Sequence, residues 1–118
     1  MGIKMPKMRF LVIQKPKDEV VGTTPPGEMI EHVLRHIEYF RELKEKGIVI
    51  EEGAFAGVRG GFGIFEVESL EELNSILNHA PAMPYMHTEI YPLVSRDTRV
   101  KQLEEQLRKL RQKLEVYA

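Results

Sequence analysis

The residues of this chain best suited to moving protons are its histidines. His32 and His36 lie one turn apart in PGEMIEHVLRHIEYFRELKEKG, and His87 alternates with Glu89 and Tyr91 in PYMHTEIYPL. Histidine ordinarily titrates near neutral pH, so it can take and return a proton beside a carbonyl with little tuning. His36 is the first choice of catalytic base, with His87 and Glu89 as catalytic companions and His32 in support. The bland alternative is a packed helix histidine bonded to a carbonyl. A His-x3-His pair also resembles two metal ligands, but a metal site needs a third and usually a fourth group. His87 or a strand carboxylate could serve, but nothing in the spacing demands it, so no metal is expected.

Arg59 stands among glycines in AGVRGG. A cation on a flexible loop suits capture of a carboxylate on a small substrate. No helix N-terminus follows these glycines, so they do not form a phosphate loop. Tyr39, Tyr85, Met86 and Tyr91 complete the candidate substrate-binding set. Tyr39 serves as a second anchor on the helix flank, and Tyr85 and Met86 wall a pocket behind Pro84. Glu51 and Glu52 point to opposite sides of one strand, so at most one of them faces any given site.

The elements that must position these groups follow from periodicity. Met8 to Gln14 is an apolar β-rich run, as in a central strand. EVVGTTPPGE reads as a loop, and a helix follows from Pro26 to Lys46, stopped by Gly47. Ile30, Val33, Leu34, Ile37 and Phe40 recur at helical steps and form its expected core stripe, with Met29, His36, Tyr39 and Leu43 on the flank. Ile48 to Phe55 and Phe62 to Val67 form a hairpin across AGVRGG. Ser69 and Glu72 open a second helix with a capping-box pattern, and Ala80-Pro81 stops it. A last strand spans roughly Met86 to Tyr91 and places His87, Glu89 and Tyr91 on one sheet face. The order is βαββαβ, an α+β chain expected to fold as a ferredoxin-like plait with both helices on one face. Its second sheet face then needs a cover, and pairing with another copy is the simplest one.

After Ser95 the pattern changes. Val100, Leu103, Leu107, Leu110, Leu114 and Tyr117 alternate steps of three and four, a heptad seam with Asp97 as its expected N-cap. Three heptads are too short to hold alone, so residues 97–118 must pack on their own domain or on a neighbouring subunit. The charged flanks favour the subunit, hence homo-oligomerisation, with parallel and antiparallel pairing both open. The chain divides into a tail at 1–7, a domain at 8–95 and this helix at 96–118. Lys+Arg total 17 against 18 Asp+Glu, a balance that disfavours nucleic-acid and membrane partners. Cysteine is absent, which removes disulfides and thiol chemistry. With no apolar membrane span or signal peptide in evidence, a cytoplasmic protein is expected.

Three stretches carry a family resemblance: ELKEKG at the end of the long helix, FGIFEVESLEEL, and PAMPYMHTEIYPL with its Pro84-Tyr85-Met86 opening. Residues 8 to 94 resemble the muconolactone isomerase family and, more distantly, the YCII-related proteins. The resemblance implies a dimeric α/β barrel and a pocket between sheet and helix. It further implies isomerisation of a small lactone from aromatic-compound catabolism, without a cofactor. The apolar Leu11, Val12 and Ile13, the acidic Glu51 and Glu52, and the terminal heptad helix depart from the family's pattern. The competing expectation is a noncatalytic oligomeric binding module of the same fold.

Overall fold

A computed structural model describes residues 7–117, with side chains described through residue 115. Residues 1–6 of the expected tail and the side chain of Tyr117 lie outside the described residues. The elements are β1 (Met8–Pro16), α1 (Asp18–Thr23), α2 (Pro26–Glu45), β2 (Val49–Ala54), β3 (Gly61–Val67), α3 (Leu70–Asn78), β4 (Met86–Leu93) and α4 (Arg96–Tyr117). A 3₁₀ turn at Met83–Tyr85 leads into β4. The sheet is ordered β2-β3-β1-β4 and is antiparallel throughout, the ferredoxin-like plait.

The two apolar strands of highest β propensity, β1 and β3, take the centre. On one face Phe10, Val12, Phe65, Val67 and Val49 meet Phe40 and Leu43 of α2 and Leu73 and Leu77 of α3 in a single core. Phe40 sets its ring edge against Phe65, with centroids 5.5 Å apart. Local chemistry ends the helices as the residues dictate. Gly47 takes φ +79 after α2, and the amides of Gly47 and Ile48 return to the carbonyls of Lys44 and Leu43. Ser69 caps α3 by accepting from the Glu72 amide, while the Glu72 carboxylate reaches back to the Glu68 amide.

Three expectations require correction. The expected loop EVVGTTPPGE contains a helical turn and a half, α1, with Asp18 and Glu19 in its first turn and the Thr23 hydroxyl donating to the Glu19 carbonyl. α4 is capped by Ser95, whose hydroxyl accepts from the Thr98 amide at 3.1 Å, and Asp97 falls inside its first turn. The core stripe of α2 is also displaced. Ile30, Leu34 and Ile37 are 60%, 61% and 55% exposed, whereas His36, Phe40 and Leu43 are buried. The apolar arc of α2 is wider than its contact with the sheet, and its C-terminal half is the part that packs. The residues displaced from the core line a cleft instead.

The opposite sheet face carries Arg9, Leu11, Ile13, Ile64, Glu66, Glu89 and Tyr91, by strand alternation and register. Arg9 pairs with Glu66 across it at 3.0 Å. α4 projects from the domain with every described side chain exposed. The chain therefore reaches 68 Å in its longest dimension, with a radius of gyration of 19.7 Å. A compact chain of this length would have about 13–14 Å. Among the described residues no helix is long and apolar enough to cross a membrane.

Candidate active site

The site begins with a polar residue at the end of an apolar strand. Gln14 follows Phe10 and Val12 in inward alternation along β1, so its amide must enter the helix-facing side of the sheet, where it is 5% exposed. A buried amide has to find partners for all its polar atoms. Its Oε1 lies 2.6 Å from His36 Nε2. Its Nε2 donates to Thr88 Oγ1 at 3.2 Å and to Met83 Sδ at 3.4 Å.

His36 is 6% exposed and is held from both sides. The backbone N–H of Ala82 donates to its Nδ1 at 3.2 Å. A backbone amide can only donate, so Nδ1 is the unprotonated nitrogen and Nε2–H donates to Gln14. Burial without a compensating charge lowers its pKa from 6.5 to about 4. The ring is therefore neutral at pH 7, and its one lone pair is already engaged. His36 also packs against Phe40, the rings tilted by 41° with centroids 4.7 Å apart.

This polar floor closes one end of a cleft of about 650 Å³ between α2 and the sheet. Ile30, Val33, Leu34 and Ile37 wall it on one side, and Val21 and Thr24 of the α1 segment stand at its margin. The β2–β3 hairpin supplies the other side, including Glu52, Arg59 and Phe62. Glu52 faces inward because β2 carries a bulge. Val49 opposes Phe65 while Glu51 opposes Ile64, so Ile50 is an extra residue. The extra residue reverses the alternation, turning Glu52 to the side of the inward Gly63. Glu51 instead lies 3.8 Å from Lys44 in an ion pair.

Of the residues expected from sequence, His36, Arg59 and Met86 line this cleft. The others have different partners. His87, Glu89 and Tyr91 stand opposite Lys15, Ile13 and Leu11, on the far face of the sheet from Gln14 and Thr88. The Tyr91 hydroxyl donates to Glu89 there at 2.6 Å. The expected convergence of His36 with His87 and Glu89 is thus not formed within one chain, because strand alternation sends them to opposite sides. His32 packs against Tyr85, the rings tilted by 38° with centroids 4.9 Å apart, and lies 3.7 Å from Glu28. The Tyr39 hydroxyl is spent on the Ile76 carbonyl at 2.7 Å, which ties α2 to α3.

Gln14 was absent from the expected set, although its parity with Phe10 and Val12 was the available signal. Glu52 could not be chosen over Glu51 without the bulge. Together the cleft offers a carboxylate, a guanidinium and a fixed amide against an aliphatic wall.

The family model described as muconolactone delta-isomerase matches residues 8–98. The chain belongs to the muconolactone delta-isomerase family. A muconolactone delta-isomerase from Rhodococcus opacus is 37% identical over 71 residues, covering 60% of this chain and 76% of that protein. A crystal structure of muconolactone isomerase superposes with a TM-score of 0.63 at 25% identity, covering 75% of this chain and 91% of that one. The fold is shared as well with 5-chloro-2-hydroxyhydroquinone dehydrochlorinase from Burkholderia phenoliruptrix AC1100, at TM-score 0.60 and 20% identity over 77% and 98% of the two chains. The family match ends within the first turn of α4, so the heptad seam of this isomerase-family member lies beyond it.

Proposed function

We propose that this chain catalyses cofactor-independent proton transfer, an isomerisation, on a small lactone or related carbonyl acid held in the α2–sheet cleft, working as a homo-oligomer. The observation that carries the reading is the meeting of Glu52, Arg59 and the His36–Gln14 pair in one cleft of a muconolactone delta-isomerase family member. Arg59 holds the substrate carboxylate. Glu52 takes the proton from the carbon beside the carbonyl, and the electron pair moves onto the carbonyl oxygen. Gln14 Nε2–H stabilises that oxygen by exchanging its bond to Met83 Sδ, since a thioether is a weak acceptor. In a substrate with a C=C bond beside that carbon the intermediate is a dienolate, and Glu52 returns the same proton to its distal carbon as the carbonyl re-forms and the double bond moves into conjugation with it. One carboxylate both removes and restores the proton, so no net charge or redox change results. His36 is a positioning residue in this scheme, because Ala82 holds the lone pair it would need as the base.

The aliphatic wall of Ile30, Leu34 and Ile37 selects a substrate with an apolar ring or side chain beside its acid group. Burial of each methylene there raises affinity about fourfold, from roughly 0.8 kcal/mol per group. A panel of lactones and carbonyl acids of graded substituent size tests both parts. Arg59→Gln should raise Kd about 10- to 100-fold, and Glu52→Gln should lower kcat by at least about 100-fold with Kd little changed. Binding across the panel without any turnover by the native chain would instead identify the noncatalytic binding module. Full kcat in Glu52→Gln would remove this carboxylate from the proton transfer.

A further inference from the structure

α4 is built to be covered and is covered by nothing among the described residues of its own chain. Its seam residues Val100, Leu103, Leu107, Leu110 and Leu114 are 44–71% exposed. These residues step by three and four without a break over a helix of 22 residues, about 33 Å long. Such spacing fits another helix of the same repeat.

The charges around the seam point to the same occupant. With Val100 and Leu107 in the first core position of the repeat and Leu103 and Leu110 in the fourth, Arg99 and Glu104 flank the seam on opposite sides. The ion pairs within α4 are Arg108–Glu105 and Lys109–Glu105, all on the outward face. Arg99 and Glu104 enter no ion pair among the described residues. A parallel, in-register partner brings Arg99 of each copy beside Glu104 of the other, with Gln106 facing Arg111 at no electrostatic cost. An antiparallel partner that pairs Glu104 with Arg111 leaves Arg99 without a counterpart, and the register that brings Arg99 to Lys113 sets Glu104 against its own copy.

We infer that α4 pairs in parallel and in register with α4 of a second copy of this chain, its leucine seam forming the buried core and Arg99–Glu104 contacts setting orientation. This interface lies outside the family match and does not depend on the catalytic reading. Three heptads are marginal as free peptides, and any contact between the domains raises their effective concentration.

The absence of cysteine makes the test clean on the full chain. Leu110→Cys places a thiol in the seam, where a parallel register sets it against its own copy. Gln112→Cys places one on the outward face. Mild oxidation should give several-fold more disulfide-linked dimer from the first than from the second, and equal yields would overturn the pairing. Adding Arg99→Glu to the Leu110→Cys chain should cut the yield several-fold, and the further change Glu104→Lys should restore it. A yield that is unchanged or raised by Arg99→Glu overturns the parallel register, since in the antiparallel register that pairs Glu104 with Arg111 residue 99 faces no partner charge. Failure of the double exchange to rescue overturns it equally. Circular dichroism confirms that each variant keeps its helix content.

Discussion

His36 shows how a residue selected for its chemistry can turn out to be held for its geometry. Its two nitrogens are committed to Ala82 and Gln14, and its folded pKa of about 4 lies below its ordinary 6.5. Above pH 6.5 the ring is neutral both folded and unfolded, so titration costs nothing. As pH falls below 6.5 the unfolded chain gains a proton that the folded chain refuses until about pH 4. Stability therefore falls across that window, by about 3 kcal/mol from this one group. His36→Gln should remove most of that loss, and urea unfolding at pH 7 and pH 4 measures it directly. Parallel losses in both proteins would show that the ring is not the source. The spacing of the histidines advertised a functional edge on α2, and His36 does border the cleft. Its role was not legible, because it depends on Ala82 and Gln14, which lie 46 and 22 residues away.

At the scale of elements, strand and helix identities followed from periodicity, capping and glycine stops. Faces were harder to read. The apolar arc of α2 is broad enough to serve core and cleft, and apolarity does not distinguish a wall from a core. β2 defeats alternation for a different reason: one inserted residue reverses the facing of everything after it. The hairpin that carries Arg59 is fixed by Gly60 rather than by free motion. Gly60 has φ +117, and a Cβ there would stand 2.4 Å from the Gln14 carbonyl oxygen. Backbone cannot yield as a flexible side chain would, so Gly60→Ala should cost about 1–3 kcal/mol and displace the loop. Thermal unfolding gives the first quantity, and the Kd for a carboxylate ligand reports the second. Unchanged values for both would mean that the hairpin relaxes freely.

For the whole molecule, the order of elements was enough to place four strands and two packed helices in the plait, because few connections satisfy two successive βαβ units. The added helix was legible from its heptads, while its projection from the domain was not, since a seam does not say where its partner stands. The polar floor joins elements from across the whole chain. Gln14 of β1 meets His36 of α2, Thr88 of β4 and Met83 of the turn before it, at sequence separations of 22, 74 and 69. Such a cluster has no local precursor: it exists only after β4 has closed against β1. We expect it to form on the descent from the folding transition state rather than in the nucleus. Gln14→Leu should therefore leave the folding rate nearly unchanged and speed unfolding in proportion to the stability lost, as a chevron plot would show. An equal slowing of folding would place β4 in the nucleus. With that outcome, the floor that orients the amide in the cleft doubles as the protein's kinetic latch.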